Sequence, residues 1–270
     1  MLEYDFMRHA FAAAAAVAIV AGTVGYFLVL RGQTFAGHAL ADVGFAGATG
    51  AALLSLAPLW GLVLMTLAAG VAMGLAGDRL AQRDVATGLV LALALGLGLL
   101  FLHFYTAYAA QATTLLFGNV LAVDRETVWT LFALGALALL VLAVISRPLL
   151  FASLQPQLAE AKGVSPRLYS VLFLAIVALT TAECAQIVGV LLVFALMVGP
   201  AAAAQQVTRR VGSGIVLSAL LALFEAWLGI ALAYWSDWPS SFWITASSAA
   251  VYLLAALPRL FESRPSPAAF

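Results

Sequence analysis

Two residues of the sequence, His38 and Asp42, have side chains that bind metal ions and lie within an otherwise apolar stretch. A spacing of four residues places both side chains on one face of a helix, about one turn apart. A neutral imidazole and a carboxylate on one face can bind a divalent cation such as zinc or manganese, although a closed zinc site contains more ligands. The alternative is a hydrogen bond between His38 and Asp42 that satisfies both groups inside a helix bundle. The surrounding glycines and alanines let helix backbones approach or leave room for a pathway.

The composition of the chain indicates which kind of element must position these residues. Of 270 residues, 65% are hydrophobic and 9% are charged, whereas soluble domains contain about 25% charged residues. The mean hydropathy is +1.09, and so few charges could not cover the surface of a water-soluble protein. The single cysteine excludes a disulfide scaffold, and the net charge of zero offers no basic surface for nucleic acid. The sequence therefore predicts an all-α polytopic integral membrane protein.

Apolar stretches of about 20 residues, the length needed to cross a bilayer, recur along the sequence. The segment 168–204 is too long for one span and contains a polar cluster at 180–186, so we expect two helices there with a tight turn at the cluster. This interpretation gives about nine spans, and eight spans are the alternative. The remaining predicted spans are 10–30, 38–57, 59–77, 86–104, 127–146, 211–235 and 243–261.

The arginines and lysine predict the orientation, because the cytoplasmic loops of membrane proteins are enriched in these residues. With the C-terminus in the cytoplasm, nine spans place ten of the 12 basic residues inside and only Arg8 and Arg125 outside. We therefore expect the N-terminus outside and the C-terminus inside. The predicted organisation is one transmembrane domain over residues 1–262, followed by a short cytoplasmic tail at 263–270.

Weaker candidates for a metal site or a pathway lie in other apolar stretches. Glu225 lies near the middle of its span, where a carboxylate costs about 2.5–3.5 kcal/mol. It could line a pathway, or it could pair with His38 or with an amide of a neighbouring helix. His103 lies beside tyrosines near the outer end of its span, which favours an aromatic belt at the interface over a metal ligand. Glu183 and Cys184 fall at the expected outer turn, and a lone thiol there is usually a packing residue.

The segment 151–167 is the longest polar stretch on the predicted cytoplasmic side. Glu160, Ala161 and Gly163 fit a short helix that stops at the glycine. Such a helix could dock in a groove of another protein, or it could be an amphipathic surface loop without a partner. The sequence contains no Walker, His-Glu-x-x-His or Gly-x-Ser-x-Gly motif, so we expect no catalytic and no cofactor-binding residues.

Six motifs resemble the permease subunits of bacterial zinc/manganese/iron ABC transporters. Each is short, but their order and spacing along most of the chain are fairly specific. In that family the acid typically precedes the histidine, whereas here His38 precedes Asp42 with the four-residue spacing kept. The motifs are GYFLVLR at 25–31, GHALAD at 37–42, LFGNVL at 116–121, VGVLLVFAL at 188–196, PAAAA at 200–204 and YWSDWPS at 234–240.

The resemblance implies a permease of the bacterial inner membrane that has no ATPase activity of its own. It further implies a homodimer whose translocation path lies at or near the subunit interface. Two copies of a cytoplasmic ATP-binding subunit would dock on the inner face, with the segment around Glu160–Gly163 as the coupling helix. A periplasmic or lipid-anchored metal-binding protein would deliver the ion. No permanently bound cofactor is implied, because the metal is the substrate.

Three functions remain open from the sequence. The first is the permease of an ATP-driven importer that works by alternating access, with zinc as the expected metal and manganese or iron as alternatives. His38 and Asp42 would bind the ion transiently during transport. The second is a stand-alone, proton-coupled metal transporter, for which Asp42 and Glu225 are the clear intramembrane acids. The third is an intramembrane enzyme with a His/Asp metal centre, for which the sequence suggests no convincing third ligand.

Overall fold

The structure is a computed structural model that describes residues 3–76, 84–104 and 114–262. Within these ranges, seven helical segments are each long and apolar enough to cross a membrane. The predicted all-α polytopic membrane fold is confirmed, while the number of spans stays a prediction. The helices are α1 (Asp5–Leu30), α2 (Thr34–Leu53), α3 (Pro58–Ala76), α4 (Asp84–His103), α5 (Arg125–Leu154), α6 (Pro156–Ala161), α7 (Pro166–Val188), α8 (Val193–Val207), α9 (Val211–Ser236) and α10 (Ser240–Glu262).

The helix break expected at the polar cluster 180–186 is wrong. α7 continues through the cluster to Val188, and the chain turns at Gly189. Gly189 has a φ of +79°, a conformation that glycine adopts without steric cost and that often ends helices. A short 3-10 turn, Val190–Leu192, then leads into α8.

Two threonines show why the polar cluster does not interrupt α7. Thr180 Oγ1 donates a hydrogen bond to the carbonyl of Ile176, one turn earlier, at 3.0 Å. Thr181 Oγ1 contacts Met197 Sδ of α8 at 3.9 Å. A hydroxyl that bonds to its own helix needs no water, so threonine can lie inside a membrane helix. The glycine, not the cluster, therefore marks the end of the helix.

α1 lies at the centre of the bundle, and 72% of its most apolar 18-residue stretch is buried. It packs against α5, α7, α8 and α9. Two glycines permit this close packing, because a Cβ on Gly25 would collide with the backbone of Met197 and one on Gly22 with the backbone of Ser218 and Ala219. Ser218 Oγ fixes the crossing with α9 by donating a hydrogen bond to the carbonyl of Gly22 at 2.6 Å.

α2, the helix that carries His38 and Asp42, packs most extensively against α3. Gly47 of α2 and Gly61 of α3 face each other, and a Cβ on either would collide with the carbonyl oxygen of the other. Of the two roles predicted for the small residues near Asp42, close approach of helix backbones is therefore the one that the structure shows.

One end of the bundle, called the basic end below, brings together the ends of α1, α3 and α5 and the start of α7. Arg31, which follows α1, donates a hydrogen bond to Ser153 near the end of α5. Arg167 Nη2, in the first turn of α7, donates to the carbonyl of Leu75 near the end of α3 at 2.6 Å. The basic residues described at this end are Arg31, Arg147, Lys162, Arg167, Arg209 and Arg210.

Arg8 and Arg125 lie at the opposite end, in the first turns of α1 and α5. This separation agrees with the basic end facing the cytoplasm. The orientation stays a prediction, and Arg79, Arg83, Arg264 and the predicted tail at 263–270 lie outside the described residues.

The short helix predicted before Gly163 is confirmed as α6, at the basic end. Gly163 has a φ of +78° and donates its backbone N–H to the carbonyl of Glu160 at 3.0 Å. Val164 N–H donates to the carbonyl of Ala159 at 2.9 Å. These two bonds form a Schellman motif, so the glycine ends the helix as expected.

Candidate metal site in the membrane

His38 and Asp42 lie on the same face of α2, as the four-residue spacing predicts. His38 Nε2 is 3.9 Å from Asp42 Oδ2, which is beyond hydrogen-bond distance. The Asp42 side chain is 11% exposed and the His38 side chain 41%. The carboxylate is thus largely enclosed while the imidazole stays accessible, and the two groups do not satisfy each other through a direct hydrogen bond.

The pair lies in the half of α2 nearer the basic end. α2 begins at Thr34, so at 1.5 Å per residue His38 is about 6 Å and Asp42 about 12 Å along the helix axis. α3, α4, α7 and α8 pack around α2, and these walls are mostly apolar. A negative charge interacts with a cation more strongly in such surroundings than in water, because the local dielectric constant is low.

The ligand set is incomplete within this chain. Among residues 3–76, 84–104 and 114–262, no three His, Cys, Asp or Glu side chains come close enough together to hold a metal ion. His38 and Asp42 can therefore supply two ligands, and further ligands would have to be water or groups outside the described residues. A cation at such a site is held more weakly than in a four-ligand structural zinc site.

Glu225 does not join this pair. It is fully buried on α9, which packs against α1, α8 and α10, whereas α2 packs against α3, α4, α7 and α8. Both carboxyl oxygens lack a hydrogen-bond partner among the described residues. Ser248 is its polar neighbour, but the Ser248 hydroxyl donates to the carbonyl of Ala195. The described residues show no pairing of Glu225 with His38 or with an amide, which was one option from the sequence, and its place in a pathway stays a prediction.

His103 is also remote from His38. It is exposed at the end of α4, with its ring centre 5.5 Å from that of Phe104. The nearby Phe101 packs close to Gly50, toward the end of α2 opposite to His38. The tyrosines beside His103, on which the expected aromatic belt depends, lie outside the described residues.

Sequence reasoning misplaced Glu183 and Cys184, which are not at an outer turn. Both are fully buried within α7, and neither carboxyl oxygen of Glu183 has a hydrogen-bond partner in the described part of the chain. Glu183 Oε2 lies against Gly135 of α5. The signal that could have placed them within the helix was Gly189, the first glycine after the start of α7 and a residue type that often ends helices.

Glu183→Met is expected to raise the thermal stability of the detergent-solubilised protein. A buried polar group without a partner costs about 1–3 kcal/mol, and methionine has a similar size without that cost. The measurement is a melting curve followed by gel filtration, with Glu225→Met as the comparison, because Glu225 is equally buried but lies beside the polar Ser248. A lower melting temperature for Glu183→Met would mean that Glu183 gains a partner that the described residues do not supply.

The fold and the His–Asp pair define a multi-pass helical membrane protein with a candidate cation site between its helices. Residues 3–259 match the model of the ABC 3 transport family. The chain belongs to this family and is a multi-pass protein of the bacterial membrane.

Relatives and a solved structure cover most of the chain. A manganese transport system membrane protein of Halalkalibacterium halodurans, MntC, is 29% identical over 231 residues, which are 85% of this chain and 79% of the relative. The manganese import system permease protein ScaB of Streptococcus parasanguinis is 29% identical over 256 residues, 93% of this chain and 90% of the relative. The structure of PsaBC from Streptococcus pneumoniae in complex with Fab matches with a TM-score of 0.85 and 26% identity, covering 94% of this chain and 92% of that chain. The resemblance to ABC transporter permease subunits is confirmed.

Proposed function

We propose that this chain is the membrane-spanning subunit of an ATP-driven importer of a divalent transition-metal ion. One observation carries the proposal: an enclosed carboxylate and an accessible imidazole share a face of α2 in a member of the ABC 3 transport family. Carboxylate and imidazole together suit divalent transition metals. Two ligands also suit transport, because an ion that is bound too tightly is not released.

Manganese is the first metal to test, and zinc is the alternative. The sequence alone favoured zinc, for which imidazole is a preferred ligand. The names of the relatives MntC and ScaB refer to manganese, and the carboxylate of Asp42 suits that harder ion. Both metals are therefore offered to the same transporter in the experiment below.

The proposed energy source is a separate ATP-binding subunit on the cytoplasmic face, where α6 would be the coupling helix. Glu160 and Ala161 are exposed on α6, as is Leu158, so this helix presents both polar and apolar side chains. A second copy of the chain would complete the path at or near their interface, and a metal-binding protein would deliver the ion at the opposite end. ATP binding would move α6 and switch the site between outward-facing and inward-facing states.

We expect metal uptake by proteoliposomes only when the chain is reconstituted with its ATP-binding subunit and its metal-binding protein and ATP is supplied. Uptake of radioactive manganese is measured alone and in competition with zinc, and preference for one metal identifies the substrate. The control omits ATP. Uptake by the isolated chain without nucleotide would instead support the stand-alone, proton-coupled transporter and contradict the proposal.

A further inference from the structure

Arg31 connects three parts of the basic end of the bundle. Its Nη1 donates a hydrogen bond to Ser153 of α5, and its Nε donates to Gln33 Oε1 at 3.1 Å. The guanidinium carbon lies 5.2 Å from the ring centre of Phe173 in α7, within cation–π range. One side chain therefore contacts the end of α5, the start of α2 and the first half of α7.

Resting on the proposed function, we infer that Arg31 is a positioning residue that transmits the movement of α6 to the helix carrying His38 and Asp42. A coupling helix can act on a distant site only through elements that contact both. Arg31 is such an element, because it is joined to α6 through Ser153 and to α2 through the chain itself.

The connection to α6 is short. Ser153 is three residues before Pro156, the first residue of α6. Arg31, Ser153, Pro156 and Glu160 line one cavity of about 720 Å³ at the basic end. A displacement of α6 therefore moves Ser153, and space is available beside the Arg31 guanidinium for this movement.

The connection to α2 is equally direct. The turn between α1 and α2 is closed by backbone hydrogen bonds from Gly32 N–H to the carbonyl of Val29 and from Gln33 N–H to the carbonyl of Leu28, both 3.0 Å. Gln33, which accepts from Arg31, is the residue before the first turn of α2. α1 is held at the centre of the bundle, whereas α2 contacts α1 only slightly. The turn is therefore the main connection between α1 and α2, and we expect a pull on Arg31 to reach α2 through it.

Arginine suits this role because its planar guanidinium offers five donors in a fixed arrangement and a flat face. A lysine at this position would keep the charge, but its single ammonium group could not bond to Gln33 and Ser153 and also stack on Phe173 in the same geometry. We therefore expect Arg31→Lys to restore only part of the coupling.

The test measures ATP hydrolysis and metal uptake together in the reconstituted complex. Arg31→Gln is expected to leave ATP hydrolysis within about twofold of wild type but to lower the metal transported per ATP by about tenfold, the effect of losing a charged hydrogen bond. Ser153→Ala should change the ratio in the same direction by a smaller factor, because it removes only one of the Arg31 contacts. The double variant should be no worse than Arg31→Gln alone, because that variant already lacks the bond to Ser153. Arg209→Gln is the control, since Arg209 is an exposed basic residue at the same end.

The outcomes separate this inference from the proposed function. If wild-type complex shows no ATP-dependent uptake, the proposed function fails and the inference fails with it. If wild type transports normally and the metal-to-ATP ratio is unchanged in Arg31→Gln and Ser153→Ala, the inference alone is wrong. Should Arg31→Gln not assemble, Ser153→Ala decides, because it removes the acceptor and leaves the arginine in place.

Discussion

Replacement of Asp42 by asparagine is expected to lower metal uptake by the reconstituted complex by about 100-fold, equivalent to about 3 kcal/mol. Asparagine has the same shape, so the packing of α2 is preserved while the negative charge is lost. The effect is large because the Asp42 side chain is only 11% exposed, and enclosed charges interact more strongly than exposed ones. The measurement is initial uptake at equal amounts of transporter.

Two further variants show whether the loss of uptake is specific to the His38–Asp42 pair. Asp5→Asn is the matched control, because Asp5 is exposed and its only described ion pair is a 3.8 Å contact with Arg8 at the surface. His38→Ala should reduce uptake less than Asp42→Asn, since a neutral and more accessible ligand is lost and water can replace it. Normal uptake by both Asp42→Asn and His38→Ala would exclude this pair from the transport path.

Gly189→Ala and Gly118→Ala are expected to destabilise the protein by about 3 kcal/mol or more each. Gly118 and Gly189 have φ angles of +73° and +79°, and their backbones are in direct contact. An added Cβ on either glycine would meet the backbone of the other segment, which cannot move aside as a flexible side chain can. Left-handed strain and collision therefore act together, and thermal melting in detergent measures their sum.

Substitutions at two other glycines distinguish the strain of a positive φ from the collision of the added Cβ. Gly32 has a φ of +65° but open space where a Cβ would be, so Gly32→Ala carries the strain without the collision. Gly212 has open space and no positive φ, so Gly212→Ala should be neutral or slightly stabilising. If Gly189→Ala were as mild as Gly32→Ala, the segment around Gly118 would have to yield to the added methyl group.

The sequence predicted most helices well because the thickness of a bilayer fixes the length of an apolar run. The expected span 211–235 is the helix Val211–Ser236, and 243–261 lies within Ser240–Glu262. The end of α7 was missed because polarity was taken as the signal for a turn. Thr180 satisfies its hydroxyl within the helix, so local polarity carried no information about where the helix stops.

The candidate site was predictable only where helix periodicity determines it. The shared face of His38 and Asp42 follows from their spacing alone. Burial of Glu183 depends on α5 supplying Gly135 beside it, and the contact of Arg31 with Ser153 joins residues 122 positions apart. Such pairings depend on how distant helices pack, which no local pattern in one sequence specifies.

The central place of α1 has a consequence for how the protein is made. This alanine-rich helix leaves the ribosome before the helices that surround it, and α7, α8 and α9 follow more than 130 residues later. Until they are inserted, the nascent chain holds the future centre of the bundle against lipid. Because α1 is strongly apolar, it is stable in lipid during this interval. The bundle is complete only when the later helices replace the surrounding lipid.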